Sequence, residues 1–213
     1  MIALYGENQL DSPFVFTAFV ALKEKKVPFE FRLLDLAAKE QKQAPYGDQS
    51  ITGRVPGLEM DWFYLTESLA IVEYLDEKLP APKYPRLLPS DLEQRARARQ
   101  VLGWVRTDLA ALKKERPTSS FFFGQPVTTT LTPAAESDAQ KLLSIAARLI
   151  GEKQTLLDTW SIADADLALT LWRLSKNDYP VPDKLASYAE AQWQRPSLRA
   201  FIDVARPPFV PYP

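Results

Sequence analysis

Cysteine and histidine are both absent from the 213-residue chain. Without cysteine there can be no disulfide, no thiolate metal site and no catalytic cysteine. Without histidine there can be no histidine-based triad, no zinc site built on imidazole and no imidazole general base. Long apolar runs are missing as well: none approaches the roughly 18–20 residues that cross a bilayer. The amino terminus lacks a charged-then-apolar leader with a cleavage site, so export is not expected and a cytoplasmic location is. Charge of one sign is not in excess, since 26 Lys and Arg face 27 Asp and Glu. A net charge of −1 predicts no general attraction to nucleic acid or to anionic membranes. What is present is 46% hydrophobic residues, enough for a substantial core in one or two domains.

The first 80 residues read as a small α/β layer. Ile2-Ala3-Leu4-Tyr5 has strand character, and a polar loop follows Gly6 as far as Asp11. Ser12-Pro13 is a hydroxyl N-cap with proline at the first helical position. Val15, Ala18, Phe19 and Leu22 repeat at helical spacing and predict one buried face, with Lys23 to Lys26 near the end and Pro28 beyond it. Phe29, Phe31 and Leu33 alternate as a second strand. Residues 37–54 carry no clear pattern. Leu58 and Met60, then Phe63 and Leu65, predict two short strands around an Asp61-Trp62 turn, and Ala70, Ile71, Tyr74 and Leu75 mark a helical face.

Within that layer, Gly53-Arg54-Val55-Pro56-Gly57 and Glu67-Ser68 form the pattern richest in chemistry. A residue before proline is pushed toward extended geometry, so Val55 can offer its N–H and C=O as a strand edge, the more so if its bond to Pro56 is cis. Glu67 supplies a carboxylate for an ammonium. Ser68 supplies a hydroxyl, beside helix-start N–H groups, for a carboxylate. An α-amino acid head fits that arrangement. A proline-bearing hairpin followed by an ordinary helix cap fits it equally.

Four prolines (Pro80, Pro82, Pro85 and Pro89) between Lys78 and Ser90 exclude a helix there and predict a linker. Beyond it the signals are helical. Leu92, Leu102, Val105, Leu109 and Leu112 predict one long helix ending before Pro117. Residues 118–131 predict a loop with a Phe121-Phe122-Phe123 cluster, and Thr132-Pro133 starts a helix carrying Leu142, Ile145, Ala146 and Leu149. Ser161-Ile162-Ala163-Asp164 is a Ser-x-x-Asp capping box opening a helix through Leu174, and a folding role is expected for both polar residues. Two more helices are expected at 182–193 and 196–205, then an extended segment from Arg206 to Pro213.

Taken together, Ser12, the Val55-Pro56 turn, Glu67-Ser68 and the later Ser-Ile-Ala-Asp box resemble the cytosolic glutathione transferases over the whole chain. The local texture of Arg95-Ala-Arg-Ala-Arg99 and Glu115-Arg-Pro-Thr118 is most similar to the bacterial YfcF-type members. The resemblance implies a thioredoxin-like α/β glutathione-binding domain over 1–80, a linker over 81–89 and an all-α helical domain over 90–213. It implies glutathione as co-substrate, no metal, a small electrophile or peroxide as second partner, and a homodimer. Transferase chemistry in detoxification or oxidative stress is expected, with glutathione-dependent peroxidase or disulfide-reductase activity as variants. On this resemblance Ser12 is the catalytic hydrogen-bond donor to the sulfur, since a serine hydroxyl is far too weak an acid to serve as base. Helix capping alone is its other reading. Val55, Glu67 and Ser68 would hold the peptide, and Arg54 and Lys42 would meet the glycyl carboxylate, although a solvated loop accounts for those two as well.

Other residues stay open at this stage. Tyr5 either approaches the sulfur or packs in the core, and Trp104 with Asp108 either floors an electrophile pocket or packs and faces solvent. Two further functions share the same pattern. One is a non-catalytic interaction module of this fold, against which the combination of Ser12, Val55, Glu67 and Ser68 argues. The other is isomerisation of a maleyl-type substrate, against which Asn8-Gln9-Leu10-Asp11-Ser12 argues by lacking a serine- and cysteine-rich motif.

Overall fold

The computed structural model of the chain describes residues 1–210. These form two compact units: Met1–Leu87 joined by the segment from Ala200 on, and Leu88–Arg199.

In the first unit the elements run β1 (Ile2–Glu7), α1 (Pro13–Glu24), β2 (Glu30–Leu34), a 3-10 turn (Glu40–Lys42), α2 (Tyr46–Gln49), β3 (Gly57–Met60), β4 (Phe63–Thr66) and α3 (Ser68–Lys78). The patternless stretch at 37–54 thus holds two short helical turns. The sheet order is β2-β1-β3-β4, with β1 and β2 parallel and the other pairs antiparallel. Strand alternation is clearest in β3, where buried Leu58 and Met60 flank the part-exposed Glu59. Leu4, Leu58 and Met60 are buried, while Tyr5, Arg32 and Glu59 share a hydrogen-bonded cluster.

Helix α1 is buried along every position from Val15 to Leu22, not along one stripe as its spacing predicts. Its aromatic residues explain this. Phe19 meets Phe29 and Phe31 of the β2 region, and both Phe16 and Phe19 meet Phe201. An element covered on several sides reads as apolar all round. The helix stops where Lys26 turns left-handed (φ 55°), two residues ahead of Pro28. Between β3 and β4, Asp61 and Trp62 both have positive φ (50° and 68°), the pair of left-handed residues that a two-residue hairpin requires.

A buried ion pair closes this unit. The Lys25 ammonium donates to Asp76 Oδ1 (2.8 Å), to the Leu79 carbonyl (2.9 Å) and to the Pro85 carbonyl (2.7 Å). Asp76 Oδ1 also accepts from the Leu87 N–H at 2.7 Å. The proline-rich segment is therefore anchored through its backbone.

The second unit is helical: α4 (Leu92–Thr107), α5 (Ala110–Glu115), α6 (Thr118–Phe122), α7 (Pro133–Ile150), α8 (Ile162–Ser175) and α9 (Asp183–Trp193). Helix α10 (Pro196–Ile202) then leads into the segment that belongs to the first unit. The single long helix expected before Pro117 is broken. Asp108 leaves helical geometry, Leu109 turns left-handed (φ 61°), and Asp138 of α7 accepts from the Ala111 and Leu112 N–H groups to cap α5 afresh. Leu92, expected on the buried face, is 76% exposed. The phenylalanine cluster forms the short helix α6, where Phe121 and Phe122 are buried and Phe121 meets Trp172 and Trp193.

Helix α8 is buried from Ile162 to Leu174 and opens with the expected capping box. Asp164 accepts from the Ser161 N–H (2.9 Å), the Leu156 N–H (2.7 Å) and the Tyr188 hydroxyl (3.0 Å), so the carboxylate serves folding. Burial nevertheless pushes its pKa up. After α10 the described residues to 210 are neither helix nor strand, and 211–213 of the expected extended segment lie outside the described residues.

Candidate functional site

Strand directions decide which loops meet. β1 ends at Glu7, so the loop to Ser12 leaves that end of the sheet. β2 is parallel to β1, and its last residue Leu34 accepts the Asn8 N–H there, so the segment carrying Lys42 leaves the same end. β3 runs antiparallel with Tyr5 opposite Gly57, which puts Val55-Pro56, just ahead of β3, at that end too. Thr66 of β4 lies opposite Gly57, and so Glu67 and Ser68 follow at the same place. Ser12, Lys42, Arg54, Val55, Glu67 and Ser68 therefore share one end of the sheet. The N-termini of α1 and α3 point there as well, and each concentrates positive partial charge and N–H donors.

Local geometry prepares several of these groups for a ligand. Ser12 has extended backbone (φ −68°, ψ 122°), and its hydroxyl oxygen accepts from the Val15 N–H at 3.3 Å. That capping bond leaves the hydroxyl hydrogen with no acceptor among the described residues, so capping and donation are compatible. The Val55–Pro56 bond is cis. Neither the N–H nor the C=O of Val55 has a backbone partner among the described residues. Glu67 is exposed and its side chain makes no capping bond to α3, yet its backbone holds φ 72° and ψ 113°. A non-glycine residue there is strained by about 1–3 kcal/mol, and such residues gather at functional sites. Ser68 is buried behind it.

Tyr46 and Glu7 at this end have no expectation attached in the sequence, and Gly57 is named there without a role. Tyr46, in the patternless stretch, donates its hydroxyl to the Arg54 carbonyl at 2.6 Å and so fixes the backbone just before Val55. Burial pushes its pKa up to about 12. Its ring crosses Gly57, where a Cβ would stand 2.4 Å from the Tyr46 oxygen, so glycine is required. Glu7 is buried beneath the β1–α1 loop, and its Oε1 accepts from the Asp11 and Ser12 N–H groups at 2.7 and 2.8 Å. Desolvation raises its pKa to about 7. The available signals were weak: an acidic residue ending an apolar strand, and a glycine opening one.

Tyr5, Trp104 and Asp108 are committed to other contacts. The Tyr5 hydroxyl donates to Glu59 and accepts from Arg32, so it is committed to the sheet cluster. In the second unit, Trp104 Nε1 donates to Asp108 at 2.9 Å, and Asp108 pairs with Lys141. Arg54 and Lys42 are exposed. Among the described residues no group of His, Cys, Asp or Glu is arranged to hold a metal ion, and no helix is long and apolar enough to cross a membrane.

Two family models match this chain. Residues 8–83 match the glutathione S-transferase N-terminal domain and residues 91–206 the glutathione S-transferase C-terminal domain. The chain belongs to the glutathione S-transferase family. Its architecture is accordingly the thioredoxin-like layer followed by the all-α domain of that family. It is 31% identical to human glutathione S-transferase theta-1 over 158 residues, covering 68% of this chain and 65% of the human protein. A glutathione transferase homologue from Burkholderia gl BGR1, solved with bound glutathione, is 42% identical with a TM-score of 0.78, covering 94% of this chain and 96% of that one. A glutathione S-transferase from Rhodospirillum rubrum F11 shares the fold at 24% identity, with a TM-score of 0.77 and coverage of 99% and 96%.

Proposed function

We propose that the chain is a glutathione transferase that binds glutathione at the end of the β2-β1-β3-β4 sheet and stabilises its thiolate for attack on a small electrophile. The observation that carries this reading is the meeting of an unpaired Val55 edge, a strained Glu67 and two helix N-termini at one sheet end. The Burkholderia homologue with bound glutathione supports the choice of ligand. In this reading Glu67 takes the γ-glutamyl ammonium, while Ser68 and the start of α3 take the γ-glutamyl carboxylate. Val55 pairs with the cysteinyl backbone. Arg54 and Lys42 supply positive charge for the glycyl carboxylate.

The sulfur then lies toward Ser12 and the start of α1. A free thiol has a pKa of about 8.5, and each unit by which it falls requires about 1.4 kcal/mol of preferential interaction with the anion. The Ser12 hydroxyl hydrogen and the N–H groups of the first turn supply that interaction. The thiol proton passes to solvent. The thiolate forms a sulfur–carbon bond to the electrophile, whose leaving group departs with the bonding pair. Peroxidase or disulfide-reductase turnover uses the same thiolate. Assignment to the YfcF-type branch, a cytoplasmic location, a detoxification or oxidative-stress role and a homodimer belong to the same proposal, and light scattering that reports a monomer would remove the dimer.

The decisive experiment is Ser12→Ala. The thiol pKa of bound glutathione should rise and the pH–rate profile should move to higher pH, while glutathione affinity changes little. An unaltered thiol pKa with full turnover would leave Ser12 as a helix cap only. Absence of glutathione binding by the unmodified protein would favour the interaction-module reading.

A further inference from the structure

The loop that delivers Ser12 is gripped from two directions. From beneath, Glu7 Oε1 accepts the N–H groups of both Asp11 and Ser12, and Oε2 is buried with no hydrogen-bond partner among the described residues. From the far end of the chain, Arg206 Nε donates to the Leu10 carbonyl at 3.0 Å. The same guanidinium reaches back to the carbonyls of Phe201 (3.1 Å), Ile202 (2.7 Å) and Val204 (3.0 Å), which locks the end of α10 to the loop. Four residues on, the Val210 N–H donates to Gln9 Oε1 at 3.3 Å. Leu10 is buried with φ 57°, a conformation that a leucine holds only when its surroundings enforce it.

We propose that Glu7 and Arg206 are positioning residues for Ser12, fixing the direction of its hydroxyl by clamping residues 9–12 between the sheet and the segment after α10. The proposal rests on the reading that the Ser12 hydroxyl serves the sulfur. A planar guanidinium with five donors holds all four of these carbonyls in one fixed geometry, one more than the three donors of an ammonium can reach. Glu7, Asp11 and Asp203 are the acidic groups facing Arg206, so the charges alternate across the clamp. A buried carboxylate with one unsatisfied oxygen is an expensive way to fill space. What it supplies here is an acceptor for two N–H groups at the turn that carries Ser12.

The test uses the full chain with Arg206→Gln, Arg206→Lys, Glu7→Met (which removes the acceptor) and Ser12→Ala, read by two measurements. The first is amide hydrogen exchange at Asp11, Ser12 and Val15 without ligand. The second is the thiol pKa of bound glutathione from its thiolate absorbance. Arg206→Gln should speed exchange at the loop by about tenfold or more, the equivalent of one lost charge-assisted bond, and should raise the thiol pKa with little change in glutathione affinity. Arg206→Lys should fall between, and it carries the test if Arg206→Gln does not fold. In the Ser12→Ala background the Arg206 and Glu7 substitutions should add no further pKa change, because they act through the serine. Unchanged exchange and an unchanged thiol pKa in folded Arg206 and Glu7 variants would overturn the proposal. So would a pKa shift that is undiminished in the Ser12→Ala background. If exchange quickens but Ser12→Ala leaves the thiol pKa unmoved, the clamp stands and the role given to the serine fails.

Discussion

Replacing Glu67 by glycine should make the protein more stable and a poorer binder of glutathione at once. The residue sits at φ 72° and ψ 113°, where a side chain costs about 1–3 kcal/mol. Glycine removes that strain but brings about 0.5–1 kcal/mol of extra unfolded-state entropy. Loss of a negative charge at the start of α3 subtracts about 0.3–1 kcal/mol more. The mid-range balance is a gain of about 0.5–1 kcal/mol, or about 2 °C in melting temperature for a chain of this size. Glu67→Ala loses the same charge and keeps the strain, so it should melt below the unmodified protein. Both variants strip the glutathione ammonium of its charged partner, a loss of about 1.5–3 kcal/mol, so affinity should fall about 10- to 150-fold. Calorimetric melting and isothermal titration with glutathione read the two effects separately. A glycine variant that melts no higher than the alanine variant would refute the claim that strain resides at residue 67. Unchanged affinity in either would remove Glu67 from the site.

Gly57→Ala should displace the Tyr46 ring, since its Cβ falls 2.4 Å from the Tyr46 oxygen. Overpacking of this kind costs about 1–3 kcal/mol, and glutathione titration should show weakened binding because the Arg54 carbonyl loses its anchor. Lys25→Met leaves Asp76 buried without its ammonium, so urea unfolding should report a loss of about 3–5 kcal/mol; a loss under about 1 kcal/mol would contradict a critical role for the pair. Glu7 has a folded pKa of about 7 against an ordinary 4.5, so the native state binds the extra proton between those values. Stability should therefore fall as pH rises through that window, by about 3 kcal/mol in all. Urea midpoints of Glu7→Gln should show no such fall, and parallel curves for the two proteins would refute the assignment.

The parts of this molecule that were legible in the sequence rest on short-range rules. Ser12-Pro13, Thr132-Pro133 and Ser161-Ile-Ala-Asp164 all open helices because capping needs only three or four neighbouring residues. The hairpin at Asp61-Trp62 follows from alternation on either side of it. Features set by distant partners were not legible. The break at Asp108-Leu109 depends on Asp138 and Lys141, about 30 residues further along the chain, and the burial of α1 on several sides depends on Phe201. At the candidate site, residue types at fixed spacing marked Val55, Glu67 and Ser68, while Ser12 read as a helix cap and took its further role from the family resemblance. Tyr46 and Arg206 escaped notice because their roles lie in hydrogen bonds to backbone carbonyls, which leave no spacing in the sequence.

Phe201 has a consequence for synthesis. Its ring lies 5.5 Å from Phe16 and 5.3 Å from Phe19, both in the first helix of the chain, so the second unit is an insertion within the first. A ribosome that has finished Leu87 must add more than a hundred further residues before Phe201 exists, which takes roughly 6–20 s at ordinary elongation rates. Through that interval the α1 aromatics have no native cover on one side. The nascent first unit then exposes apolar surface that the finished chain covers, and a chain cut short before residue 200 should keep it exposed.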